Sequence, residues 1–325
     1  SDQPHARITA IDAERARAVS GVRVVLTSED TAHLTPTVDT VRLEESLKTP
    51  RPTLPGDVVR YVGEPIVAVV AEDRYVAEDA AALVTVRYDP IDGAPLHAHI
   101  PDGIPYGRAM SFGEVDAAFQ GAPHVFRRRL SVQRVVTTAM ETCGAVADFD
   151  AGTGELTLYV STQMPHVSRL DLAMALGMPV SHVRVVCPAM GGAFGGKENM
   201  LPEYLCAAVA SIALGVPVRW VEDRREALIA GSQAKEAECE LETAMSADGD
   251  LLAMRSRFRS DSGAYVSGIG PYVEFIVAAH TVPGLYALPA YAYEASAVLT
   301  TKAPLSAYRA VGMTVSQLLC EVALD

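Results

Sequence analysis

Between Pro188 and Met200 the chain reads Pro-Ala-Met-Gly-Gly-Ala-Phe-Gly-Gly-Lys-Glu-Asn-Met, four glycines around one phenylalanine followed by a Lys-Glu pair. Glycine lacks the Cβ that bars positive φ, so a backbone built from it can touch a bound group, and free N–H groups ahead of a helix favour an anion. The chemistry this run could support is the holding of a phosphate-bearing or oxyanion ligand. The alternative is a tight strand-to-helix connection whose glycines only serve packing. Gly191, Gly192, Gly195 and Gly196 do not form GxGxxG, and no ribose-binding acid is evident about 20 residues on, so the run is not a dinucleotide fingerprint. It is not a P-loop either, because Glu198 stands where a magnesium-binding Ser or Thr belongs.

Three other stretches carry polar groups at turns. Val160-Ser-Thr-Gln-Met-Pro-His166 places the Gln163 amide, donor and acceptor at once, between a strand and a helix. Ala307-Tyr-Arg-Ala-Val-Gly312 puts Arg309 in a loop ahead of a helix, and Met140-Glu-Thr-Cys143 lies between two strands.

The elements that must position these groups follow from periodicity. Ala6 to Ile11 reads as a strand, Asp12 to Val19 as a helix with Asp12 as N-cap, and Val22 to Leu26 as a strand. The pattern recurs with the apolar run Glu64 to Ala71, a helix from Arg74 to Leu83, and a strand from Val84 to Tyr88 before the turn signal Asp89-Pro90. A small α+β domain over residues 1–90 is expected, then a linker over 91–119 containing Pro95, Pro101 and Pro105, then a larger mixed α/β domain over 120–325. In the larger domain Phe126 to Val135, Gly144 to Asp150, Glu155 to Ser161, Val183 to Cys187 and Val218 to Glu222 read as strands. Ser168 to Leu176 and Leu201 to Leu214 read as helices, and the last residues follow a helical pattern.

Composition narrows the function classes. With 325 residues, 49% hydrophobic and 21% charged, the chain has material for two ordinary cores. A net charge of -13 repels phosphate backbones, which argues against nucleic acid as partner. The apolar stretches are shorter than the roughly 18 residues of a membrane span. Five cysteines without CxxC spacing argue against a disulfide framework or a cysteine-held zinc or iron-sulfur site, and a cytoplasmic location is the expectation. The first residues carry no initiator Met and no signal-peptide pattern, so a partial chain or a split subunit is expected.

Taken in order, Pro4-His-Ala-Arg7, Val62-Gly-Glu-Pro65, Ser161-Thr-Gln163, the Gly191 to Glu198 loop and Ala307-Tyr-Arg309 resemble the molybdenum-binding subunit of the molybdenum hydroxylases, the xanthine dehydrogenase and aldehyde oxidase family. The resemblance spans nearly the whole chain. It implies a hammerhead-like small domain followed by the first part of a molybdopterin-binding domain, and a molybdenum-pyranopterin cofactor, with the cytosine dinucleotide as one form it takes in the family. It further implies 2Fe-2S clusters and FAD on an iron-sulfur and a flavin partner subunit. By resemblance, Gln163 lies near the apical oxygen of the metal without ligating it. Gly191, Gly192, Ala193, Phe194 and Gly195 pass beside metal and pterin, and Arg309 with Ala310 helps hold cofactor and substrate. The family hydroxylates an electron-poor carbon with oxygen from water, using a general-base glutamate whose position falls beyond this chain, so the fragment alone is not expected to be catalytic.

Departures from the family pattern bear on the substrate. Ala310 stands where carbon monoxide enzymes carry a copper-binding cysteine, and Val311 where xanthine enzymes carry a stacking aromatic. Phe275 to His280 lacks the xanthine enzymes' substrate-clamping arginine. Glu198 matches a heterocycle-contacting glutamate, so Glu198 and Arg309 are the expected catalytic residues and an N-heterocycle the expected small-molecule substrate. Aldehyde oxidation is the first alternative, and a non-catalytic cofactor cradle or assembly subunit the alternative of another class. For Glu198 the plain structural reading is a helix-dipole complement. For His166 the readings are a functional group or, favoured, a histidine packing its turn; for Glu141 they are a second active-site acid or a buried carboxylate holding backbone amides. Arg127 to Arg129 are expected to be a solvated strand end and Asp261 to Tyr265 to be structural.

Overall fold

Alternation in Ala6-Arg-Ile-Thr-Ala-Ile-Asp turns Ala6 and Ile8 inward and builds β1 (Ala6–Asp12), the spine of the small domain. The computed structural model describes residues 1–36, 50–91, 106–266, 270 and 272–325. After β1 come α1 (Glu14–Arg17), β2 (Val22–Leu26), α2 (Ser28–Thr31), β3 (Val58–Val59), β4 (Ala68–Ala71), α3 (Arg74–Ala81) and β5 (Thr85–Pro90). They form two antiparallel sheets, β3-β1-β5 and β2-β4.

Three local expectations are corrected here. The first helix is one turn rather than Asp12 to Val19, and Asp12 ends β1, its Oδ1 accepting from Glu14 N at 3.1 Å. Only Ala68–Ala71 of the apolar run is strand, because Glu64 is held by Arg60 N and the Tyr265 hydroxyl and Pro65 has no N–H to offer a ladder. Asp89 and Pro90 form no turn, since they pair with Arg7 and Ala6 at the end of β5.

The large domain opens with β6 (Tyr106–Phe112), α4 (Val115–Gly121), β7 (His124–Val132), β8 (Val135–Val136), β9 (Gly144–Asp150) and β10 (Glu155–Val160). It continues with α5 (Pro165–Leu176), β11 (Val183–Val186), α6 (Pro202–Leu214), β12 (Val218–Val221), α7 (Arg224–Ile229), β13 (Gln233–Ala234), β14 (Ala237–Met245) and β15 (Leu251–Asp261). A π-helical turn (Tyr272–Ile276), α8 (Val277–Thr281), β16 (Tyr291–Val298) and α9 (Met313–Leu324) complete it. The segment expected as a linker therefore already contains β6 and most of α4, while Pro95, Pro101 and Pro105 lie outside the described residues. β6 is strand because β16, far along the chain, supplies its partner.

Two sheets make the large domain. In the order β11-β10-β9-β12, the first buries Leu156, Leu158 and Val160 against α5 and α6. Leu26 and Leu54 of the small domain join this core, so the two domains share apolar contact. The second, β6-β16-β15-β14-β7, packs Leu241, Met254 and Phe258 against α8 and α9. Arg127 to Arg129 lie mid-strand in β7 rather than at a strand end, with Arg127 on Glu242 and Arg129 on Glu240 across the ladder. β10 and β11 run parallel, as do β15 and β16. Parallel strands put their carboxyl ends on one edge, and the segments that leave β10, β11 and β16 there are the polar stretches singled out above.

Candidate active site

The chain beyond β10 delivers Thr162 and Gln163, and the chain beyond β11 delivers the glycine run. The two are tied together. Gln163 N donates to Lys197 O at 2.9 Å, the Thr162 hydroxyl donates to the same carbonyl at 3.2 Å, and Gly195 N donates to Gln163 Oε1 at 3.0 Å. At the other end of the run, Gly191 N donates to Glu141 Oε2 at 2.5 Å, and Glu141 Oε1 lies 3.2 Å from Lys197 Nζ. The Gly191 N–H, with Lys197 adding to it, holds the Glu141 carboxyl below the usual glutamate range. Glu141 thus holds a backbone amide as expected, but from an exposed position rather than a buried one.

The third segment, beyond β16, is fastened by Glu198. Its Oε1 accepts from Ser306 Oγ at 2.9 Å and from Ala307 N at 3.0 Å, while Asn199 Nδ2 donates to Ser306 Oγ at 3.1 Å. Glu198 is buried, with 9% of its surface exposed. The helix-dipole reading does not hold, because α6 begins only at Pro202. Through Oε1 this carboxylate joins the glycine run to the segment beyond β16.

The glycines answer first to the chain's own packing. Gly195 has φ +101°, and a Cβ there would stand 2.3 Å from Ala307 O; at Gly191 it would stand 2.7 Å from Glu141 Cβ. The closest approach to the backbone at these two positions is made by neighbouring protein, not by an open space left for a ligand.

What remains on the rim is a set of donors. Among the described residues, the amides of Gly192, Ala193 and Phe194, the Gln163 Nε2 and the Arg309 guanidinium have no protein acceptor. Gln163, Phe194, Arg309 and Ala310 are exposed, with Phe194 at 48%. Four non-glycine residues among those described have positive φ: Phe194 (54°), Lys235 (75°), Ala310 (69°) and Val311 (42°). All four belong to these loops or contact them, and such strain collects where the surrounding structure over-determines a functional surface.

Beneath the Arg309 loop lies a pair the sequence reading did not anticipate. Glu274, in the π-helical turn, accepts from Tyr308 N at 3.0 Å, and its Oε2 is 3.6 Å from Lys235 Nζ. Burial pushes the Glu274 carboxyl up to about 7, against the pull of Lys235, and burial lowers the Lys235 ammonium. The signal was present as a single carboxylate inside the apolar run Tyr272-Val-Glu-Phe-Ile-Val-Ala-Ala279. His166, expected to pack its turn, is instead exposed in the first turn of α5.

The donor set suits an anionic, oxygen-rich group such as a phosphate-bearing pterin with oxo ligands: the cation and N–H groups have no protein acceptor, whereas oxygens of Gln163, Glu141 and Glu198 accept from the loops themselves. Among the described residues no cluster of three His, Cys, Asp or Glu could ligate a metal ion directly. No helix among them is long and apolar enough to cross a membrane.

Comparison with known proteins assigns both halves of the chain to described domains. A family model described as the molybdopterin cofactor-binding domain matches residues 96–325, and one described as the a/b hammerhead domain of aldehyde oxidase and xanthine dehydrogenase matches residues 1–92. The chain is 39% identical to the nicotine 6-hydroxylase large subunit of Paenarthrobacter nicotinovorans, over 100% of its own length and 42% of the relative's. It is 35% identical to the carbon monoxide dehydrogenase large chain of Hydrogenophaga pseudoflava, over 92% of its own length and 40% of the relative's. The solved structure of quinoline 2-oxidoreductase from Pseudomonas putida 86 superposes with a TM-score of 0.93 at 35% identity, covering 99% of this chain and 43% of that one. The chain spans less than half the length of these relatives.

Proposed function

The chain belongs to the aldehyde oxidase and xanthine dehydrogenase family of molybdopterin-binding proteins, and from that premise we propose that it forms the cofactor-facing wall of an oxidoreductase that places a water-derived oxygen on an electron-poor carbon of an N-heterocycle. The observation that carries this reading is the sorting of the rim, with the amides of 192–194, Gln163 Nε2 and Arg309 left without protein acceptors while neighbouring carboxylates are held by the loops. When bound, a molybdenum-pyranopterin would supply oxygen-transfer and two-electron redox chemistry. The residues of this chain bind and orient. The amides of Gly192, Ala193 and Phe194 and the Gln163 Nε2 would donate to oxygens of the group, and the Arg309 guanidinium would stabilise negative charge on its phosphate or on the substrate. Phe194 offers an apolar ring face to an aromatic substrate. Glu198 and Glu141 hold the loops that present these donors.

The substrate class is supported by the names of the relatives, nicotine 6-hydroxylase and quinoline 2-oxidoreductase. Ala310 offers a methyl group where a second metal would need a thiol. The reading includes the pterin as its cytosine dinucleotide, the remaining half of the molybdenum subunit, and 2Fe-2S and FAD partner chains that carry the electrons away. All five cysteines are unpaired, which supports a reducing, cytoplasmic compartment.

The test uses the full-length subunit with its partner chains, assayed in oxygen-18-labelled water on N-heterocycles and aldehydes. Label in a hydroxylated N-heterocycle, with stoichiometric molybdenum, is the expected result. Turnover of aldehydes alone would assign the aldehyde alternative, and molybdenum without any turnover would assign a cradle.

A further inference from the structure

We propose that the buried Lys235–Glu274 pair is the positioning device for the Tyr308–Gly312 loop, fixing how Arg309 is presented to the anionic group or substrate at the rim; the inference rests on the proposed function for what Arg309 meets, but not for the positioning itself.

The contacts bracket Arg309 on both sides. On one side Glu274 Oε1 accepts from Tyr308 N at 3.0 Å, and Lys235 Nζ is 3.4 Å from Tyr308 O and 5.9 Å from the centroid of its ring. On the other side Lys235 Nζ donates to Val311 O, and Gly312 N donates to Val273 O at 3.1 Å, next to Glu274 in the π-helical turn. Between these anchors Ala310 and Val311 hold positive φ, and Arg309 is exposed without a protein partner among the described residues. Besides its own turn, in which Val311 N donates to Tyr308 O at 2.6 Å, a loop bent into this conformation and carrying an unpaired cation depends on its anchors for its shape. Lys235 and Glu274 are 8% and 4% exposed, so removing either one strands a buried charge as well as loosening the loop.

Titration of Glu274 gives the device a signature. The charged groups acting on Glu274 are Lys235, which favours its ionised form, and Glu198, which opposes it. With the carboxyl pushed by burial to about 7, raising pH through that value ionises it. A carboxylate accepts from the Tyr308 N–H and attracts Lys235 more strongly than the neutral acid does. The loop is therefore tightest on the alkaline side.

Hydrogen exchange of the assembled full-length complex tests this without reference to turnover. Protection of the Tyr308 and Gly312 amides, corrected for intrinsic rates, should rise several-fold as pH increases through about 7 in the wild type, and should be lower and flat in Glu274→Gln. Protection in β9 and β10 should stay unchanged, reporting an intact fold. Lys235→Arg should retain the wild-type behaviour and Lys235→Met should lose it, which keeps the test decisive if the Glu274 variant does not fold. In turnover, Glu274→Gln should lower kcat/KM roughly tenfold, mainly through KM, and remove the inflection near neutrality. Wild-type protection that is flat with pH and unaltered in Glu274→Gln and Lys235→Met would overturn the proposal. If the wild-type complex oxidises no N-heterocycle, the functional reading fails while exchange still decides the positioning; if it does so with exchange unaffected by the variants, the positioning fails and the functional reading stands.

Discussion

Gly195 shows how one residue type can be legible while its reason is not. Four glycines around Phe194 announce a close approach of backbone in the sequence alone. That the partner of Gly195 is the carbonyl of Ala307, far along the chain, depends on the fold. Gly195→Val in the full-length subunit would strain the backbone by about 1–3 kcal/mol at φ +101° and press on that carbonyl at a further cost of about 1–3 kcal/mol. The expected outcome is a lower midpoint in urea together with lower molybdenum content, and an unchanged midpoint would reject the packing role. Glu198 is the companion case. Removing its carboxylate strands Ala307 N and takes one of its partners from Ser306 Oγ, so Glu198→Ala should lose about 1–3 kcal/mol of stability and with it cofactor content. Glu198→Gln keeps an acceptor oxygen and should recover most of both. Rates normalised to molybdenum check this, because a large loss of kcat/KM in Glu198→Ala at full stability and full occupancy would return the residue to a direct catalytic role. Gln163 and Arg309 were legible because local pattern marks them, whereas Lys235 and Glu274 acquire meaning only when the fold brings them into contact.

At the scale of elements, the loops of the site hang from strands braced by a ring of four charges. Arg134 Nε lies 2.7 Å from Glu236 and its Nη2 3.1 Å from Asp261, while Lys302 Nζ contacts Glu236 and lies 2.9 Å from Asp261 Oδ2. The ring joins the end of β7, β14, β15 and the segment beyond β16 that leads to Ser306 and Arg309. Burial opposes ionisation of Asp261, yet Arg134, Lys302, Thr300 and the Gly263 N–H together hold it below the usual aspartate range. A depressed carboxyl contributes stability that is fully present above its unfolded pKa and lost as pH falls through the folded value, so this contribution fades only below the ordinary aspartate range. Asp261→Asn should therefore destabilise the full-length subunit by about 2 kcal/mol or more near neutral pH, less than the 3–5 of a fully buried pair. The deficit should shrink towards zero in acid unfolding curves, and a deficit independent of pH would contradict the assignment. Asp261 to Tyr265 was read as structural from the sequence, and β9 with the bounds it has, because Gly144 to Asp150 carries its signal in seven residues. β6 was not legible, since a weakly patterned segment becomes strand only when β16 pairs with it. In β14, Glu238, Glu240 and Glu242 alternate with buried Cys239 and Leu241, a strand signal plain in the sequence that the strand expectations above do not include.

For the molecule as a whole, the Val62-Gly-Glu-Pro65 motif finds its purpose in joining the domains. A Cβ at Gly63 would stand 2.5 Å from Ala230 Cβ, and Glu64 accepts from the Tyr265 hydroxyl at 2.6 Å, so the small domain is keyed against the large one beside a cleft of about 1830 Å³. The rim residues Gln163, Phe194 and Arg309, by contrast, are exposed, and they belong to a chain spanning 42% of its nicotine-hydroxylase relative. Small-molecule and cofactor sites typically cover roughly 70–90% of the ligand surface. A single wall of amides and one guanidinium covers much less, and the free energy of a few charge-assisted hydrogen bonds in contact with water must first offset the lost freedom of the ligand. The 325 residues produced alone in a host that makes the cofactor should therefore contain molybdenum well below one atom per chain, while the full-length subunit should retain it through gel filtration. Thermal melts separate this from misfolding. A cooperative transition without metal supports an intact but open wall, and stoichiometric molybdenum on the isolated 325 residues would show that the donors of this wall suffice by themselves.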